Sequence, residues 1–126
     1  MGFIGIDHIV LTVKSIERSI AFYCSILGMT QKTFGNGRKA IFCGSQKINL
    51  HEKGKEFEPK AMYPRSGSAD ICCITDTSLK EVIKVLNAYT IDIIEGPVEK
   101  IGAKGKILSI YIRDPDQNLI EISNYL

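Results

Sequence analysis

The chain has 126 residues, 44% hydrophobic and 24% charged, with Lys+Arg 16 against Asp+Glu 14 for a formal net charge of +2. This ordinary globular composition excludes disorder and fibrous repeats. Charges so nearly balanced give no electrostatic basis for binding nucleic acid or an anionic membrane. No apolar run approaches the ~18 residues of a membrane span, and residues 1–8 lack the basic region and cleavage site of a signal peptide. The expectation is one domain over residues 1–126, cytoplasmic, with no nucleic-acid or membrane partner.

Taken in chain order, Asp7-His8-Ile9-Val10-Leu11-Thr12-Val13 is a β-branched run bounded by Gly5 and Lys14-Ser15 and predicts a strand. Ser15 then caps a helix on which Ile16, Ile20, Tyr23 and Leu27 recur at helical spacing, and Gly28 closes it. Strands are expected at 30–34 and 39–43, joined by the hairpin turn Gly35-Asn36-Gly37, and again at 46–51 after Gly44-Ser45. Polar residues 52–69, with Pro59 and Pro64, read as a linker.

The pattern then recurs. Asp70–Thr75 repeats His8–Val13 at an offset of 62 residues, and Leu79, Val82, Ile83 and Leu86 repeat the helix at an offset of 63. Strands are expected at 91–95, 108–112 and 119–123, with a loop at Gly96-Pro97 and a turn at 114–118. Strand, helix and three strands thus occur twice, a duplication legible before any motif. Module 1 is placed at about 5–51 and module 2 at about 70–126. Halves this small are marginal alone and are expected to share one structure.

The repeat selects the candidate chemistry. His8 and His51 are the only histidines. Strand alternation puts His8 with Val10 and Thr12, away from the apolar face that meets the helix. The repeat offset sets Asp70 at the place of His8. Aligning Ile120 and Ile122 with Ile48 and Leu50 sets Glu121 at the place of Asn49, with His51 two residues beyond. Imidazole plus carboxylate is the donor set of catalytic Zn, Fe, Mn, Ni or Co sites. Each residue taken singly reads more simply as a satisfied polar group; four at repeat-related positions reverse that preference. Cys24, Cys43, Cys72 and Cys73 show no CxxC spacing and read as reduced thiols. Asp114-Pro115-Asp116-Gln117-Asn118 lacks the glycine and final glutamate of a calcium loop and reads as a turn. Tyr63, Arg65, Lys104 and Lys106 read as solvated surface.

The stretches Asp7–Val13, Phe22-Tyr23, Leu27-Gly28-Met29 and Arg113–Glu121 resemble the vicinal-oxygen-chelate superfamily, which includes glyoxalase I, extradiol dioxygenases and bleomycin-binding proteins. Gln46–His51 and Gly54–Lys60 are similar to its small glyoxalase-domain and virulence-protein members. The resemblance implies an α+β fold of two tandem βαβββ modules forming a curved mixed sheet around a metal-binding cup, and a homodimer. It implies one divalent ion (Zn, Ni, Mn or Fe) held by His8, His51 and Glu121, with His51 supplying the imidazole that the family places where this chain has Asp70. Asp70 would then be a weaker ligand, a partner orienting a histidine, or a general base, and the implied catalytic carboxylate that shuttles the proton is Asp70 or Glu121 itself. The implied activity is lyase or isomerase chemistry on a small substrate chelated through vicinal oxygens, as in lactoylglutathione lyase. An Fe(II) extradiol-type dioxygenase and a non-enzymatic small-molecule binding protein are the alternatives.

Overall fold

The computed structural model describes all 126 residues, in two compact units, Met1–Gly67 and Ser68–Leu126. Each holds one four-stranded mixed sheet. The two tandem modules expected from the sequence are present, and residues 52–67 belong with the first unit.

The first unit contains β1 (His8–Val13), α1 (Ile16–Ile20), β2 (Thr30–Phe34), β3 (Arg38–Cys43) and β4 (Gln46–Glu52). Its sheet runs β1-β4-β3-β2, with β1 parallel to β4 and the other pairs antiparallel. Ser15 caps α1, its Oγ accepting the Arg18 N–H at 3.2 Å. The expected single helix instead changes pitch, α1 passing into a π-helical stretch over Ala21–Ile26. The wider turn buries the adjacent rings of Phe22 and Tyr23 together, edge to face at 5.0 Å. Leu11, Val13, Ile41, Ile48 and Leu50 complete that core.

The second unit contains β5 (Asp70–Ile74), α2 (Leu79–Ala88), β6 (Glu95–Gly102), β7 (Gly105–Arg113) and β8 (Leu119–Tyr125), in sheet order β5-β8-β7-β6. Leu79, Leu86, Ile110, Ile112, Ile120 and Ile122 are buried, each contributing about 1.5–3 kcal/mol of transfer free energy. One expectation is corrected. Residues 91–94 form no strand, and β6 begins at Glu95 and runs through Gly96-Pro97, which was expected to be a loop. The reason is positional. β6 is an edge strand with a register shift between Glu95 and Val98, where proline's missing N–H leaves no ladder bond unmade. The turn before β8 is held by buried Asp114, whose carboxylate accepts the N–H groups of Asp116 and Asn118 and the Asn118 side-chain amide at 2.8–2.9 Å. No helix is long and apolar enough to cross a membrane.

Candidate metal centre

Strand register decides which candidate residues share a face. In the first unit, β1 and β4 pair with Val10 opposite Asn49 and Thr12 opposite His51, while Ala40 of β3 faces Asn49. His8, Asn49 and His51 therefore point to one side of the sheet, the side away from Leu11 and Leu50. His8 lies diagonally across from Asn49, about 7–8 Å apart in such a ladder. His8 and His51 are separated by four residues along the strands as well as one strand across, roughly 14 Å between Cα atoms.

The surroundings of the two histidines differ as much as their places. The His8 side chain is 43% exposed, and its Nδ1–H donates to Asp7 Oδ1 at 2.7 Å. That carboxylate fixes the tautomer and leaves Nε2 free to ligate, as outer carboxylates do for metal-bound imidazoles. The same contact pulls the Asp7 carboxyl below its ordinary range. His51 is 4% exposed, and its Nε2 faces Arg38 Nη2 at 3.3 Å. A guanidinium only donates, so Nε2 accepts and the ring is neutral. Burial first, then the Arg38 charge, push its pKa below the ordinary value, with Glu56 acting weakly the other way.

Asn49 is the feature that sequence reasoning undervalued. The residue is buried, and its Oδ1 has no hydrogen-bond partner. An orphaned buried acceptor costs about 1–3 kcal/mol. It sits at the repeat equivalent of Glu121 and diagonally from His8, where a cation would satisfy it.

The second unit presents the matching arrangement. Cys72 of β5 pairs with Glu121 of β8, so Asp70 lies diagonally from Glu121 as His8 does from Asn49. Asp70 is exposed. Glu121 Oε2 accepts from Ser109 Oγ at 2.6 Å and Ser123 Oγ at 3.4 Å, and Tyr111 pairs beside it on β7. Burial, then the Glu121 carboxylate, push the Tyr111 phenol up to about 12, so it stays protonated. A cavity of about 490 Å³ lies on this face, lined in part by Cys72, Lys100, Tyr111, Glu121 and Tyr125. Ser109 and Tyr111 were missed from sequence. Their alternation along β7, in register with Glu121, is the signal that finds them. The four cysteines are free. No three His, Cys, Asp or Glu side chains gather at one point.

A duplicated βαβββ module with these repeat-related donors defines a glyoxalase-type fold. The chain belongs to the Glyoxalase/Bleomycin resistance protein/Dioxygenase superfamily, whose family model matches residues 5–122. It is 55% identical over 121 residues to virulence protein STM3117 of Salmonella typhimurium, covering 96% of this chain and 84% of that protein. The crystal structure of that protein superposes with a TM-score of 0.97 over 100% of both chains. Glyoxalase domain-containing protein RDO1 of Mycosarcoma maydis is 53% identical over 96% of this chain and 68% of its own length. A lactoylglutathione lyase from Agrobacterium tumefaciens shares the fold, with a TM-score of 0.71 at 20% identity over 95% of this chain and 92% of its own.

Proposed function

We propose that the protein is a metal-dependent enzyme of the glyoxalase type, acting on a small substrate chelated through vicinal oxygens. His8 Nε2, Asn49 Oδ1 and Glu121 would hold one divalent ion (Zn, Ni, Mn or Fe), a nitrogen-and-oxygen set suited to those metals. The observation that carries this reading is the buried, unpartnered Asn49 oxygen beside a histidine already oriented by Asp7. His51 is left out of the set, because its ring lies four residues from His8 along the sheet and faces a guanidinium. When bound, the ion supplies Lewis acidity that stabilises negative charge developing on substrate oxygen.

The chain's own groups do the rest. Asp7 holds the His8 tautomer. Ser109 and Ser123 orient Glu121, and the Tyr111 phenol remains a donor beside it. Asp70, an exposed carboxylate two residues along from Glu121's partner, takes and returns the proton on the carbon next to the chelated oxygens. The active form is proposed to be a homodimer.

The test is turnover of a hemithioacetal of glutathione, of fosfomycin with thiols, and of catechols by metal-loaded protein. Turnover of the hemithioacetal is expected, with D70N lowering it 10²–10⁴-fold at unchanged metal content. No turnover of the hemithioacetal, or full activity in D70N, contradicts the reading.

A further inference from the structure

The geometry points to an oxyanion-binding subsite on the first sheet, built around Arg38, that takes a carboxylate, phosphate or phosphonate group of the substrate. This deepens the reading above by naming the substrate class, and it rests on that reading for its role in turnover. Arg38 opens β3, on the same sheet face as Asn49 and His51. Its guanidinium carbon lies 5.1 Å from the Phe34 ring centroid and 4.5 Å from that of Phe57. Phe57 in turn packs edge-on against His51 at 5.5 Å. The planar cation is thus held by two rings and one neutral imidazole, a position fixed before any ligand arrives.

Its charge is left uncompensated. None of the ion pairs in the chain involves Arg38. The nearby acid, Glu56, has one oxygen on the Gly54 N–H at 2.9 Å and the other 4.0 Å from Lys60. His51, neutral in this contact, is no counter-ion. A second cation adds to the field, Lys47 Nζ lying 4.4 Å from the Phe34 centroid, though it also feels Asp7. A guanidinium has five N–H donors and only one is engaged by His51, so a fork remains for a planar or tetrahedral oxyanion. Arg38 is two residues along and one strand across from Asn49, about 7–8 Å between Cα atoms. An anionic group of a small substrate bridges that interval while its oxygens reach the metal donors.

The test is titration of chelator-treated protein with acetate, inorganic phosphate and methylphosphonate in separate arms, following the Arg38 Nε–H and Phe57 ring resonances. Saturable shifts of both are expected with at least one anion, the arm that binds most tightly identifying the group. R38M is expected to weaken that binding at least tenfold and R38K to fall between. Failure of every anion to saturate, or wild-type affinity in R38M, overturns the proposal. Metal content of R38M and H8A separates the two readings. H8A that loses metal but binds the anion supports both, whereas H8A that keeps metal sinks the metal reading and leaves the subsite standing.

Discussion

Asn49 carries an unusual burden for an uncharged side chain. Its buried Oδ1 accepts no hydrogen bond. Replacing the amide by an apolar group of similar shape removes that penalty. N49L is therefore expected to stabilise the chelator-treated protein by about 1 kcal/mol in urea unfolding while weakening metal binding at least tenfold. Loss of stability at unchanged metal affinity would contradict the role assigned to it. His51 yields a prediction of opposite kind. Its folded pKa lies below the ordinary 6.5, so the unfolded chain protonates first. Stability holds above pH 6.5 and declines as pH falls from there towards the lower folded value. R38M removes one cause of that depression, and urea midpoints above and below pH 6.5 should then differ less than in the wild type.

Most elements were legible because their periodicity matched their burial. β1 through β5, α2 and the turn before β8 lie where alternation, caps and glycines put them, to within a residue or two. Two features were not. The π-helical stretch leaves no mark in a 3.6-residue pattern, since Ile16, Ile20 and Leu27 still recur at helical spacing although Phe22 and Tyr23 do the packing. β6 was misplaced because Gly96-Pro97 signals a loop locally, while pairing with β7 overrides that signal at a bulged edge. Gly96 itself is confined there: it has φ +103°, and a Cβ would stand 2.3 Å from the Ser109 carbonyl oxygen. G96A is expected to cost about 2–4 kcal/mol through positive φ and backbone collision together. A urea midpoint within error of the wild type would contradict that account of the bulge.

Across the whole chain, duplication explains what could be read of the site. Comparing the halves puts His8 with Asp70 and Asn49 with Glu121, and the strand registers of the two sheets reproduce that correspondence. Sequence alone could not rank Asn49 against His51, because both lie on the same face of β4. The choice proposed above rests on the His51–Arg38 contact and the unpartnered Asn49 oxygen, neither of which a pattern along the strand reveals. His8 and Glu121 are both proposed to hold the ion, so each is expected to be necessary for it. Elemental analysis of protein equilibrated with a divalent ion and freed of excess tests this most directly. The account predicts one ion per chain in the wild type and far less than one in both H8A and E121Q; a full complement of metal in either variant would contradict it.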